Sequence, residues 1–143
     1  MIEIQKTTDL TSHVYQDALS IRKEVFVEEQ QVPLELEIEN EDVTIHFVLY
    51  DNGRPQATVR LYPKSKDTFK VQRMAVLKEA RKKGYGRDIM AAAESYAVQK
   101  GMQFTLLGAQ TQAIPFYESL GYQAFGEEYL DAGIQHFDMK KTL

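Results

Sequence analysis

The sequence predicts an α/β domain built around a mixed sheet, and three observations carry that prediction. Several short runs alternate apolar and polar residues, the period of a half-buried strand. Other runs space their apolar residues by three and four, the period of a helix with one buried face. The two kinds interleave as β, α, ββ, β, α, β, α, β, β, so strands and helices share one unit.

"IEIQK" near the N-terminus alternates and reads as an edge strand. From Thr11 to Glu28, Val14, Ala18, Leu19, Ile21, Val25 and Phe26 recur at helical spacing, and Pro33 ends regular structure. "LELEIENED" (Leu34–Asp42) concentrates carboxylates and reads as a loop or short irregular helix. In "VTIHFVLY", Val43, Ile45, Phe47 and Leu49 share one face, and Thr44, His46, Val48 and Tyr50 the other. "DNGRP" supplies an Asn-Gly turn, and "QATVRLY" alternates again, which predicts a hairpin. "TFKVQRMAVL" is the next strand. Gly84 to Lys100 is a helix whose Ile89, Ala93, Tyr96 and Ala97 lie together, with Lys100-Gly101 as its stop. "FTLL" is a buried strand, "TQAIPFYESLG" a short helix ended by Gly121, and "YQAFGEEYL" and "IQHFDMKK" two final strands.

Composition narrows the function classes. A chain of 143 residues fits one domain, spanning 1–143, and is long enough to bury a core without a metal or disulfide. With no cysteine, a disulfide framework, a thiolate metal site and a cysteine nucleophile are excluded. Its three histidines lack the spacing of a metal site, so no metal is expected. No apolar run approaches the roughly 18–20 residues needed to span a bilayer, and "MIEIQKTTDLTSH" lacks signal-peptide architecture. The expectation is a cytoplasmic protein that binds no membrane. A net charge of −4 argues against broad nucleic-acid binding.

Against that acidic background, "VQRMAVLKEARKKGYGRDIM" (Val71–Met90) stands out. Arg81, Lys82, Lys83 and Arg87 surround Gly84-Tyr85-Gly86 between a strand and a helix. A helix N-terminus offers free N–H groups and partial positive charge to an anion, and glycine lets the backbone approach it closely. Neither the P-loop pattern nor the dinucleotide fingerprint fits, because Ile89 stands where the latter needs its third glycine. What remains is R-x-x-G-x-G, Arg81 to Gly86.

This segment resembles the pyrophosphate-binding signature of the GNAT superfamily, the GCN5-related N-acetyltransferases. The resemblance continues in "LLGAQTQAIPFYESLGY", similar to the family's second acetyl-CoA motif, with Gln110 where an Asn is common. "IRKEVFVEEQQVP" and "DAGIQHFDM" look like a subgroup of small bacterial members, the YjcF/ElaA-like acyltransferases. The resemblance implies a GNAT fold: a mostly antiparallel sheet with one splayed strand and helices on both faces. It implies acetyl-CoA as co-substrate and a small-molecule or peptide amine as acceptor, with a homodimer common among members. Met74, Ala75 and Val76 correspond to the splayed strand that pairs with pantetheine. Arg81, Lys82, Lys83, Gly84, Tyr85, Gly86 and Arg87 correspond to the pyrophosphate cradle, and Gln110 and Phe116 to the second motif. Tyr117 matches the tyrosine that protonates the departing sulfur.

The base is not legible. The position where some members carry a glutamate is about Lys70 here. Glu28, Glu29, Asp42, His46, His136 or a water chain are the candidates. Arg22 and Glu29 could order the substrate-side loop or form a structural salt bridge. The acidic Glu35, Glu37, Glu39, Glu41 and Asp42 could attract a cationic amine or form a solvated loop. A non-catalytic acyl-CoA sensor is the alternative function, and a nucleic-acid module using the 81–87 patch a second rival.

Overall fold

The computed structural model describes residues 1–31 and 41–143, apart from the Asp42 side chain. The predicted loop residues Glu35, Glu37 and Glu39 lie outside it.

Seven strands form one sheet: β1 (Ile2–Thr7), β2 (Ile45–Asp51), β3 (Arg54–Pro63), β4 (Thr68–Val76), β5 (Phe104–Gln110), β6 (Gln123–Asp131) and β7 (Ile134–Thr142). Their order is β1-β2-β3-β4-β5-β7-β6. Every neighbouring pair is antiparallel except β4–β5. Turn chemistry sets both tight hairpins. Asn52 (φ 52°) and Gly53 (φ 79°) link β2 to β3, and Ala132 (φ 52°) and Gly133 (φ 78°) link β6 to β7. Successive left-handed residues match the twist of paired strands.

Helix α1 (His13–Arg22) covers one face of the sheet, while α2 (Tyr85–Gln99) and α3 (Ile114–Ser119) cover the other. Ser12 caps α1 by accepting from the Tyr15 N–H at 3.3 Å. Val14, Ala18 and Ile21 pack on Val48, Tyr50 and Ala75. On the opposite face, Ile89, Met90, Ala93 and Ala97 of α2 meet Phe47, Leu49, Val59 and Val71. Burying an Ile or Met side chain contributes roughly 1.5–3 kcal/mol each. Strand β2 is therefore buried on both sides, as expected where helices flank a sheet.

Three local features depart from the expected elements. The first helix does not run as α-helix to Glu28. After Arg22 it widens into a π-helical segment, Lys23–Glu29, closed by Gln30 N–H donating to Val25 O at 3.1 Å. Strand β2 begins at Ile45 rather than Val43, because Glu41–Val43 forms a 3₁₀ turn. Strand β4 carries a bulge: Arg60 pairs with Gln72 and Thr58 with Ala75, leaving one extra residue on β4, with Arg73 at φ 56°.

Beneath α1 lies a charged cluster. Arg22, Arg60 and His46 are fully buried and Glu41 nearly so. Glu41 forms ion pairs with Arg22 and with Arg60 (3.6 Å), and its other oxygen lies 3.2 Å from His46 Nε2. Arg22 is thus structural here rather than placed against a substrate. Thr44 donates to Glu41 O (3.1 Å), so the 2.9 Å contact between Thr44 Oγ1 and His46 is a donation from Nε2. Burial holds the His46 pKa below its ordinary value.

Candidate active site

The parallel pair β4–β5 stays zipped only from Thr68↔Phe104 to Val71↔Leu107. Beyond it, β4 continues along β3 as far as Val76, and β5 continues along β7 as far as Gln110. The two strands splay, and the bulge at Arg73 sits at the opening. It also resets the alternation. Val71 and Val76 both pack toward α2, although their odd separation would put them on opposite sides of a regular strand. On the splayed stretch Ala75 and Val76 pair with β3 only, and Met74, within the bulge, is paired on neither side.

A cavity of about 730 Å³ fills the opening. It is lined by all the predicted site residues except Lys83: Met74, Ala75, Val76, Arg81, Lys82, Gly84, Tyr85, Gly86, Arg87, Gln110, Phe116 and Tyr117. Lys83 is exposed on the loop at its rim.

The loop leading into α2 is shaped by backbone conformation. Lys82 (φ 67°) and Gly84 (φ 84°) are both left-handed, and Gly84 is the residue capping α2. A Cβ on Gly84 would meet nothing within 4 Å, so its glycine is required by φ and not by crowding. Gly86 differs: a Cβ there would come 3.2 Å from Phe116 Cζ, so this glycine lets the Phe116 ring close against α2. Both therefore serve the architecture of the loop that leads into α2.

Its cations are not equivalent. Arg81 is held by Glu29 in a two-point ion pair (2.9 and 2.7 Å), and its Nε donates to Val76 O at 3.0 Å. The pair pushes the Glu29 carboxyl below and the Arg81 guanidinium above their ordinary values. Arg81 thus ties the π-helical segment to the loop, and Glu29 is engaged rather than available as a base. Arg87 donates to Ser119 Oγ at 3.1 Å. Lys82 and Lys83 are exposed and, among the described residues, have no salt-bridge partner. Tyr85 donates to Asp51 and is anchored in the core instead of presenting its hydroxyl to the cavity.

Tyr117 is buried, with its ring edge-on to Phe116 (5.0 Å) and Tyr122 (5.9 Å). Among the described residues its hydroxyl makes no hydrogen bond, and burial pushes the phenol pKa well above its usual range. The adjacent Tyr122 contrasts with it, bonding Thr105 (2.8 Å) and Glu94 (2.9 Å).

The cavity passes between the strands, so its two ends lie on opposite sides of the sheet. On the α2 side stand Gly84, Gly86, Phe116 and Tyr117. On the α1 side Gln110 donates to Gln30, the residue closing the π-helical segment, at 2.9 Å. Phe26, Tyr129, Asp131 and His136 also line the cavity. Of these only His136 was a candidate from sequence. Phe26 and Gln30 arrive through the π-helical widening, and Tyr129 and Asp131 through β6. A Cβ on Gly108 would overlap the Tyr129 hydroxyl, so that glycine admits Tyr129 to the wall.

Of the other base candidates, His46 belongs to the Glu41 cluster and is not part of the cavity wall. Glu28 is exposed and also lies off the wall. The Asp42 side chain lies outside the described residues. Among the described residues no group of three or more His, Cys, Asp or Glu could hold a metal, and no helix is long and apolar enough to cross a membrane.

The sequence matches the acetyltransferase (GNAT) domain family over residues 9–143. It is 45% identical over 128 residues to the uncharacterised N-acetyltransferase YjcF of Bacillus subtilis, covering 87% of this chain and 90% of that one. The fold is similar to that of Escherichia coli ElaA, with a TM-score of 0.85, 25% identity and 99% of each chain covered. It is also similar to an acyl-CoA N-acyltransferase from Pseudomonas aeruginosa, with a TM-score of 0.86, 27% identity and 99% of each chain covered.

Proposed function

The chain belongs to the GNAT acetyltransferase family, among the small bacterial members akin to YjcF and ElaA, and on that premise we propose that it moves an acetyl group from acetyl-CoA to a primary amine. The observation that carries this reading is the opening between β4 and β5, with the Gly84 loop and α2 N-terminus at one end and the unpartnered Tyr117 hydroxyl on its wall.

The residues suit a CoA thioester. The backbone of Met74–Val76, where the Val76 carbonyl already accepts from Arg81 Nε, can pair through its remaining groups with an extended amide-bearing arm as a further strand would. The α2 N-terminus and the exposed Lys82 and Lys83 suit phosphates, each charge-assisted contact being worth roughly 1.5–3 kcal/mol. Gln110 and Phe116 complete the wall. Acetyl-CoA supplies an activated acyl group; the chain positions it and handles protons. A backbone N–H near Met74–Val76 would polarise the carbonyl. The amine attacks the carbonyl carbon, and CoA leaves as a thiolate.

Tyr117 would return the proton to sulfur. Its burial makes the phenol a weaker acid than one in water, whose pKa is about 10 against about 8.5 for a thiol. The same burial would disfavour the thiolate, so donor and acceptor are raised together once the sulfur occupies the cavity. The hydroxyl's lack of another partner leaves its proton available.

Calorimetry with CoA, followed by thiol release across amines, polyamines, aminosugars and peptides, tests the reading. Micromolar-range CoA binding and acceptor-dependent thiol release are expected. No CoA binding would overturn it; binding without release from any acceptor would replace it with the sensor reading.

A further inference from the structure

We propose that His136 is the general base of this transfer, its Nε2 taking the proton from the acceptor ammonium. The inference rests on the acetyl-CoA reading above and adds the residue that reading leaves open.

His136 lies on β7, opposite Gln110 of β5 and Tyr129 of β6, and lines the cavity. Its Nδ1 is 2.7 Å from Ile134 O. A carbonyl only accepts, so Nδ1 carries the hydrogen and, in the neutral ring, Nε2 keeps the lone pair. The ring stacks on Tyr129, with centroids 5.9 Å apart and planes at 23°. The Tyr129 hydroxyl is in turn fixed by donation to Asp138 at 2.8 Å. Orientation and tautomer are thus both held from behind.

The side of the sheet matters as much. Leu107 and Ala109 of β5 pack in the α2-side core with Tyr117. Gln110, next in the alternation, turns to the α1 side, and its register partner His136 shares that face. Sulfur would leave on the Tyr117 side and the amine arrive on the His136 side, which separates acid from base. Of the other candidates on the wall, Lys70 offers no carboxylate, and Asp131 is exposed beside the β6–β7 turn.

The protons balance as follows. Nε2 takes one proton from R–NH₃⁺, giving the free amine and an imidazolium. The nitrogen lone pair forms the C–N bond, and as the C–S bond breaks its electron pair leaves on sulfur. Tyr117 protonates the thiolate. The second nitrogen proton passes through water to the phenolate, and the imidazolium releases its proton to solvent. The products are the amide, CoA thiol and one proton.

His136→Asn keeps an N–H for Ile134 O but cannot take a proton. With butylamine, an ammonium at pH 7, kcat/KM should fall roughly 10²–10⁴-fold. With hydroxylamine, largely neutral there, the loss should be smaller by about tenfold or more, since less deprotonation is asked of the enzyme. CoA affinity by calorimetry should stay within about twofold, since His136 lies away from the phosphate cradle. Independently of turnover, ¹⁵N NMR of the wild-type protein should show the neutral His136 ring with hydrogen on Nδ1. Equal losses for the two amines, hydrogen on Nε2, or the same selective loss in Asp131→Asn would overturn the assignment. Wild-type protein that binds CoA but transfers to neither amine would overturn it while leaving the CoA site intact. Wild-type protein that binds no CoA would remove the reading beneath it.

Discussion

Tyr117 and Tyr122 sit 5.9 Å apart in the same core and form a matched pair for separating catalysis from packing. Tyr122→Phe removes two hydrogen bonds, one to Thr105 and one to the Glu94 carboxylate. A hydrogen bond to a charged group contributes roughly 1.5–3 kcal/mol and a neutral one about 1, so a loss of about 2–4 kcal/mol is expected. Tyr117→Phe removes a hydroxyl with no partner among the described residues, so stability should hold within about 0.5 kcal/mol or rise. Activity should show the reverse order. If Tyr117 delivers the leaving-group proton, its Phe variant should lose roughly 10²–10⁴ in kcat and kcat/KM together, about 2.7–5.5 kcal/mol of barrier. Tyr122→Phe should retain most of its kcat below its unfolding transition. Urea denaturation and stopped-flow thiol release on both variants give the four numbers. A Tyr117→Phe protein as destabilised as Tyr122→Phe, or one with unchanged kcat where chemistry limits turnover, would refute the reasoning.

Four further outcomes are expected. Gly84→Asp should destabilise the fold by roughly 1–2 kcal/mol, from the left-handed backbone alone, yet abolish CoA binding by calorimetry. Raising ionic strength should weaken CoA binding, because exposed Lys82 and Lys83 are screened over about 8–10 Å near physiological salt; dephospho-CoA should bind less tightly if either meets the 3′-phosphate, as competition titrations would show. Glu41→Gln should cost roughly 3–5 kcal/mol by urea denaturation, since it leaves buried charge less compensated. His46 adds a pH dependence of known sign: its folded pKa is lowered, so below about 6.5 the unfolded chain binds a proton the folded chain refuses. Stability should fall as pH drops below that value, and His46→Gln should lose that share of the slope.

Elements whose signal is local were legible in the sequence. Asn52-Gly53 specified its hairpin because left-handed pairs suit few other residues, and Lys100-Gly101 marked the end of α2 where Gly101 does turn left-handed (φ 78°). Motif resemblance singled out the 81–87 loop and Tyr117, which line one cavity apart from Lys83. What escaped depends on contacts between distant residues or on small backbone defects. Nothing in "KEVFVEEQQ" distinguishes a π-helical segment from α-helix, since both bury Val25. The Arg73 bulge needs no glycine and therefore leaves no mark. The Glu29–Arg81 pair joins residues 52 positions apart, so the sequence could name Glu29 as a base candidate or a salt-bridge residue but could not name Arg81 as its partner. Tyr129 reached the wall only because β6 lies beyond β7 and not beside β5, and strand order is not written in alternation.

That strand order has a consequence for how the chain folds and ages. Among the described residues strand β6 has β7 as its only neighbour, and β5 faces β7 across its whole length. Residues 134–142 therefore act as a keystone: a chain ending at Gly133 contains six of the seven strands but cannot place β6, and β5 is left with an open edge. Proteolytic loss of the segment would cost two strands for one cut and would bare that edge to other chains, a template for aggregation. A chain truncated after Gly133 should thus aggregate more readily than the chain that carries residues 134–142.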